Sequence, residues 1–213
     1  MRRFSLALVS LLLVSTGCAL LGASAPTPSG DFAGLDDVIA HERRGDDGAR
    51  DAHRHPAATL RFFDVQPTHT VAEYAPGQGW YTKILAPYVS ERGRYVAVSF
   101  RGEDTGIARL EELLAGWTEN FPNLVEKTTG VPAGYVSAYH ASDIPEEAHG
   151  TVDRIVIPRM VHNLLRWNIA GRELRGLRTL LKETKVGKRR ERPVKTRIPT
   201  MMGVRSGKAS SSW

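Results

Sequence analysis

The feature that most constrains the fold is a short apolar strand followed at once by a glycine-bearing turn and an apolar helix. The strand is predicted over residues 70–74 and the helix over residues 80–89. Gly77 and Gly79 lie in the turn between them, where a missing side chain lets backbone approach a ligand. This order is typical of the first unit of a nucleotide-binding α/β fold. A tight turn without a ligand gives the same pattern, so both interpretations stand here.

The alternation of strand and helix continues along the chain. Further strands are predicted from β-branched and aromatic content over residues 94–100, 134–139 and 152–157. Further helices are predicted from apolar spacing over residues 107–114 and 161–181. Helical segments over residues 36–44 and 50–63 precede the first strand. Strands that alternate with helices favour a parallel sheet with crossover helices. The predicted fold is therefore α/β, with a Rossmann-like parallel sheet and an N-terminal helical extension.

The residues around the turn add a family resemblance. Glu73 near the end of the first strand is followed by Ala75, Gly77 and Gly79. An acid, a small residue and two spaced glycines resemble motif I of class I S-adenosylmethionine-dependent methyltransferases. The resemblance implies that S-adenosylmethionine is the cofactor, that these four residues bind it, and that Glu73 organises the loop. The nicotinamide dinucleotide fingerprint differs, because it lacks the acid and needs a small residue where Thr82 stands.

A second block resembles a later signature of the same class. Residues 139–145 form a short loop ending in Ile144-Pro145, and residues 152–156 open the next strand with an apolar-Asp pair. The two blocks follow each other in the order and at about the distance that the family shows. The resemblance is more specific for the two blocks together than for either alone.

Two cofactor positions implied by the resemblance lack the usual acid. Ser99 stands at the ribose position, at the end of the second strand, and His140 stands at the adenine position. Glu103 and Asp104 follow a few residues later and are the alternative ribose ligands. Each lost charge-assisted hydrogen bond is expected to cost about 1.5–3 kcal/mol, or one to two decades of affinity.

A narrower resemblance covers nearly all of residues 36–182. The matching stretches are residues 51–56, Phe62-Phe63, residues 73–82, residues 85–88 and residues 159–163. They are similar to a family of predicted bacterial methyltransferases that carry signal peptides. The resemblance implies methyl transfer and leaves the acceptor unnamed.

Three polar residues after the fourth predicted strand are the predicted catalytic groups. Class I methyltransferases commonly place substrate-facing residues there, which for this chain implies Arg159, His162 and Asn163. A neutral His162 can take a proton, Asn163 can orient the nucleophile, and Arg159 can hold an anionic substrate. The alternative is that His162 caps or packs the following helix.

Two further patterns favour structural interpretations. His53 and His55 have no cysteine or acid cluster at a metal-ligand spacing, and a cation stands between them, so no metal site is predicted. The aromatic pairs Trp80-Tyr81 and Phe62-Phe63 are interpreted as core residues rather than as a ligand platform.

The N-terminus predicts export. Arg2 and Arg3 precede an apolar run over residues 6–14, which is too short to span a bilayer comfortably. Small residues before Cys18 resemble a lipoprotein signal, with acylation of that cysteine as a lipid anchor. Signal cleavage after residue 25, and an uncleaved anchor, are the alternatives. The predicted location is the periplasm or a membrane-anchored lipoprotein.

The chain's basic character is confined to its C-terminal end. The formal net charge is +6, yet residues 182–213 hold ten Lys and Arg against two acids, leaving 19 basic and 21 acidic residues elsewhere. Nucleic acid is therefore not a predicted partner. The resemblance stops near Lys182, where a glycine turn and a fifth strand are expected. A reading-frame shift near codon 182 is our hypothesis, and a natural disordered tail is the alternative.

These patterns combine into one prediction of organisation and function. Residues 1–25 are a signal peptide, 31–66 a helical extension, 67–182 an incomplete methyltransferase-like domain lacking its last strands, and 183–213 a basic tail. The predicted function is methyl transfer from S-adenosylmethionine to an unknown small substrate, with loss of activity if the domain is truncated. The alternative is a non-catalytic exported envelope protein of the same fold that binds a small ligand.

Overall fold

The computed structural model describes residues 30–183, and its centre is a parallel sheet of four strands. The strands are β1 (Thr70–Tyr74), β2 (Arg94–Ser99), β3 (Val136–His140) and β4 (Arg154–Val156). Their order across the sheet is β3-β2-β1-β4, and every pairing is parallel. The chain runs outward from β1 to β3 and then returns to the other side of β1. The predicted α/β fold with a Rossmann-like parallel sheet is confirmed.

Eight α-helices and four short 3₁₀ segments join the strands within residues 30–183. The helices are α1 (Leu35–Ala40), α2 (Asp51–Arg54), α3 (Pro56–Phe62), α4 (Thr82–Val89), α5 (Ala108–Leu114), α6 (Trp117–Thr129), α7 (Val161–Arg166) and α8 (Ala170–Leu180). The 3₁₀ segments are Glu42–Arg50, Gly102–Thr105, Ala133–Tyr135 and Glu146–Ala148. Helices α1 to α3 form the predicted N-terminal extension.

The alternation of side chains along each strand builds two cores. Val71 of β1 packs with Ile84 of α4 and Phe121 of α6 on one face of the sheet. Tyr74 packs with Leu164 of α7 and Leu177 of α8 on the other face. Successive residues of a strand point to opposite faces, so a strand buried on both sides is apolar at nearly every position.

The predicted bounds of the strands agree closely with those in the structure. Strand β1 occupies the predicted residues 70–74, and the other strands lie inside or within one residue of their predicted ranges. The predicted helix over residues 50–63 is divided at His55, whose φ of 45° is left-handed, and Pro56 then opens α3. Proline suits this first helical position because its fixed φ is helical. A backbone N–H at this position has no acceptor within the helix, so proline loses no hydrogen bond there.

The longest described helix, α6, was not predicted. Trp117, Phe121, Leu124 and Val125 carry the helical spacing, and the structure makes this stretch one helix despite Pro122 inside it. In the sequence, Gly116 before the helix and the proline within it both indicate an interruption of helical structure. Packing of Phe121 and Val125 into the first core overrides that local signal.

The last described residues pair with the chain beside the start of β4. Val152 N–H donates to Leu180 O at 2.8 Å, and Lys182 N–H donates to Val152 O at 2.9 Å. Leu181 and Val152 form a parallel bridge. The predicted tail, apart from Glu183, and the frameshift hypothesis for it lie outside the described residues, as does the predicted signal segment with Cys18.

No helix within residues 30–183 is long and apolar enough to cross a membrane.

Candidate functional site

The turn after β1 adopts a left-handed backbone at three of its residues. The φ angles are 51° for Ala75, 57° for Gly77 and 75° for Gly79. A positive φ is unusual for alanine, and such strain persists only where the surrounding structure holds it. Ala75 N–H is fixed by donating to Val98 O at 2.7 Å. The turn is therefore held against β2 as well as β1.

The two glycines of the turn have different roles. A side chain on Gly77 would meet no other atom within 4 Å, whereas one on Gly79 would lie 3.4 Å from Cβ of Thr82. The contact at Gly79 is of ordinary van der Waals length, so the φ of 75° is what favours glycine there, whereas Gly77 leaves backbone open to solvent or a ligand. The N–H groups of Gly77 and Gln78 donate to no acceptor within the described part of the chain.

Glu73 is buried beneath this turn rather than exposed to a ligand. Its carboxylate is 1% exposed and accepts hydrogen bonds from Thr82 Oγ1 at 2.8 Å and Tyr95 OH at 2.7 Å. Burial raises the pKa of Glu73 to about 7, against the opposing effect of the two hydrogen bonds. The acid therefore ties β1 to β2 and to α4, and its predicted role at a cofactor site stays a prediction.

A cavity of about 400 Å³ opens at the carboxyl ends of β1 and β2. This is the crevice of a parallel sheet where the strand order reverses, because β2 and β4 lie on opposite sides of β1. The turn and the end of β2 line one side of it, and helical residues line the rest. The lining residues are Ala75–Gln78, Ser99, Phe100, Leu110, Leu113, Leu114, Ala115, Trp117, Asn120, Phe121, Leu124, Met160 and Trp167.

The lining is apolar and uncharged. Its polar side chains are the amides of Gln78 and Asn120 and the hydroxyl of Ser99. The described residues that line it include no Asp, Glu, Lys, Arg or His. Four aromatic rings and four leucines make up much of the remainder. Phe100 and Trp167, from opposite sides of β1, have ring centroids 5.1 Å apart. A molecule in the cavity meets aromatic faces and few polar groups.

The acids predicted as alternative ribose ligands are engaged elsewhere. Asp104 forms an ion pair with Arg172 of α8, in which Arg172 Nη1 donates to Asp104 Oδ1 at 2.9 Å and Nη2 lies 2.6 Å from Oδ2. Glu103 is exposed and lies 3.6 Å from Arg101, which also pairs with Asp143. Neither acid lines the cavity. Ser99 does line it, at the end of β2, and its predicted role as a ribose ligand stays a prediction.

His140 follows the wall of the cavity without lining it. Its ring lies 6.0 Å from the ring of Trp117, a lining residue. Its Nδ1 atom is buried without a hydrogen-bond partner among the described residues. Of the six predicted cofactor residues, Ala75, Gly77 and Ser99 line the cavity, whereas Glu73, Gly79 and His140 lie behind it.

The predicted catalytic residues surround a residue of the cavity wall. Met160 lines the cavity, and Arg159 precedes it with a φ of 56°. His162 is exposed on α7, and Asn163 Nδ2 donates to Met160 Sδ at 3.7 Å. None of the three lines the cavity itself. Their catalytic role stays a prediction.

A second buried acid was missed by the sequence analysis. Glu173 of α8 is 1% exposed and accepts a hydrogen bond from Tyr74 OH at 2.7 Å. Burial raises the pKa of Glu173, although Tyr74 and Arg172 oppose the change. Arg172 contacts both Glu173 and Asp104, and so links this pair to Asp104. Only the folded chain brings Tyr74 and Glu173 together, since they are 99 residues apart.

The two aromatic pairs differ. Trp80 is buried as predicted, between the guanidinium groups of Arg44 and Arg54 at 5.0 and 4.4 Å, and its Nε1 donates to Asp47 O. The prediction for the other pair is wrong, because Phe62 is 80% exposed and Phe63 51% exposed. Helix α3 buries Pro56 and Leu60 instead, which leaves both rings at its end outside the core.

Comparisons with known proteins assign no family to this chain. No model of a protein family matches the chain, and no curated protein sequence matches it. Among solved structures, the crystal structure of a SAM dependent methyltransferase from Aquifex aeolicus is 21% identical. The match covers 71% of this chain and 68% of that chain, with a TM-score of 0.43.

Proposed function

We propose that this chain is an S-adenosylmethionine-dependent methyltransferase that holds its cofactor in the cavity beside β1 and β2. The observation that carries the proposal is the position of the left-handed glycine turn. It forms the wall of a cavity at the point where the strand order of the sheet reverses. Parallel α/β sheets bind nucleotide-like ligands in this crevice.

The residues present fit the cofactor in shape and in hydrogen-bond donors. Gly77 leaves room for close approach, and its N–H and that of Gln78 have no acceptor within residues 30–183. These groups suit a carboxylate such as that of the methionine end. Ser99 suits a hydroxyl of the ribose, and the ring of Phe100 offers an apolar surface for the base.

The described lining of the cavity lacks a carboxylate that would bind the ribose hydroxyls of the cofactor. Asp104 is paired with Arg172, and the lining residues described above include no carboxylate. A ribose held by Ser99 alone loses the charge-assisted hydrogen bonds that an acid would supply. We expect weak binding, by about one to two decades of affinity for each such bond.

The bound cofactor would supply an activated methyl group, and the chain's own residues would align the acceptor. Such alignment of reacting atoms accounts for much of the rate of a transfer reaction. His162 and Asn163 beside Met160 are the proposed proton acceptor and orienting group, and Arg159 a holder of an anionic group outside the cavity.

Calorimetric titration of the full chain tests the proposal. S-adenosylmethionine and S-adenosylhomocysteine are expected to bind, and NAD is expected not to bind, because Thr82 packs where the dinucleotide fingerprint needs a small residue. Absence of binding by both adenosyl compounds at millimolar concentration would overturn the proposal.

A second candidate is a non-catalytic protein that binds an uncharged small ligand. The observation that favours it is the uncharged lining of the cavity. For an exported protein, lipid anchoring at Cys18 would be part of this proposal. Binding of a neutral aromatic molecule without any adenosyl compound would support it.

A further inference from the structure

Helix α5 presents an apolar face to the cavity, and it buries that face against the second core only in part, through Leu110 and Leu114. Leu110, Leu113 and Leu114 all line the cavity, yet no residue of α5 is buried. An amphipathic helix is normally stabilised by burying such a face. The leucines of α5 thus leave apolar surface that a ligand can cover, which favours binding of an apolar molecule.

Helix α6 supplies the facing wall. The rings of Trp117 and Phe121 lie 4.8 Å apart, and Leu124 is exposed beside them at the rim. With Leu113, which is 63% exposed, Leu124 makes the entrance apolar as well as the interior. Aromatic side chains of this kind favour stacking with a flat ring.

No charged side chain of the described residues lines the cavity, and the exposed Glu111, Glu112 and Glu119 of α5 and α6 lie outside its lining. Arg101 pairs with Asp143, and Arg172 pairs with Asp104. Arg159 is exposed and does not line the cavity. An ion that entered between α5 and α6 would lose water and find no opposite charge in the described lining of the cavity, which disfavours its binding.

Polar recognition between the two helices is limited to one amide. Asn120 of α6 lines the cavity and offers both a donor and an acceptor, which matches a hydroxyl group. Together with the aromatic and leucine walls, this amide defines a ligand with a flat apolar body and one neutral polar group.

We propose that the substrate of this site is a small, uncharged aromatic molecule bearing a hydroxyl group, held between α5 and α6. Methylation of this molecule rests on the proposed methyltransferase function, whereas its binding in the cavity does not. The cofactor would occupy the part of the cavity formed by the turn and Ser99. The aromatic molecule would occupy the part formed by Leu113, Trp117 and Leu124.

A matched set of naphthalene compounds tests this proposal by equilibrium dialysis against the full chain. We expect 2-naphthol to bind at least tenfold more tightly than 2-naphthalenesulfonate and 2-naphthylmethylammonium, which add a negative and a positive charge to the same ring system. Equal or tighter binding of either ion would overturn the proposal.

Two variants locate the site. Leu113→Asp places a carboxylate at the rim and is expected to weaken 2-naphthol binding at least tenfold while improving binding of the ammonium compound. Leu174→Asp is the matched control, since Leu174 is also an exposed helical leucine, 44% exposed, but does not line the cavity. If both variants bind all three compounds as the parent does, the site is elsewhere and the proposal is wrong.

Addition of S-adenosylhomocysteine separates this proposal from the methyltransferase proposal. We expect 2-naphthol to stay bound when the chain is saturated with S-adenosylhomocysteine. Displacement would mean that naphthol occupies the cofactor's place, which overturns the present inference alone. Naphthol binding without any adenosyl binding would overturn the methyltransferase function and leave the aromatic site standing.

Discussion

Gly77→Val is expected to eliminate binding of S-adenosylmethionine and S-adenosylhomocysteine, with a loss of at least about 100-fold in affinity. A branched side chain at this position points into open space beside the cavity, where the methionine end of the cofactor would lie. The φ of 57° also strains any branched residue, at a cost of about 1–3 kcal/mol. Calorimetric titration measures the loss.

Gly150→Val is the matched control for that strain. Gly150 has a φ of 66° and open space around the position of a side chain, but it does not line the cavity. Thermal unfolding of both variants reports the shared strain, and the adenosyl titration reports only the effect on the cavity. Equal binding by the two variants would show that the turn at Gly77 has no ligand, which favours the non-catalytic alternative.

Glu73→Gln is expected to remove a large part of the pH dependence of stability. Burial raises the pKa of Glu73 from 4.5 to about 7 in the folded chain. Below pH 4.5 both states bind the proton. Between pH 4.5 and 7 the unfolded state loses it first, so the free energy of unfolding falls as pH rises. Above pH 7 the full destabilisation is present, on the order of 3 kcal/mol.

Urea denaturation at several pH values measures this effect. The difference in unfolding free energy between Glu73→Gln and the parent is expected to shift in favour of the variant by up to about 3 kcal/mol from pH 4.5 to pH 8. Glu146→Gln, a change at an exposed carboxyl, is the control and is expected to follow the parent. A constant difference between Glu73→Gln and the parent across this range would contradict the raised pKa.

The sheet and the turn could be predicted from the sequence because their signals are local. Strand β1 is a short apolar run that ends in glycines, and its bounds are those predicted. The left-handed φ of Ala75 carries no such signal, because alanine rarely adopts it. In the folded chain Ala75 N–H donates to Val98 O, and Val98 belongs to another strand, so the sequence around Ala75 does not show this contact.

The walls of the cavity could be predicted only in part. The leucine spacing of α5 was recognised as helical, but its apolar face was not expected to border a cavity. Helix α6 was missed because Pro122 obscured the spacing of Trp117 and Phe121. The exposure of Phe62 was wrongly predicted, since an aromatic residue beside an apolar helical face is usually core. These outcomes depend on tertiary packing that no short stretch encodes.

Amide hydrogen exchange with and without saturating S-adenosylhomocysteine tests the central claim most directly. If the cavity beside β1 and β2 holds the cofactor, exchange is expected to slow at Gly77 and Gln78, whose N–H groups lack acceptors among residues 30–183, and near Ser99. Exchange around Gly150 is expected to stay unchanged. Unaltered exchange at Gly77 and Gln78, or slowing confined to another part of the chain, would contradict the account.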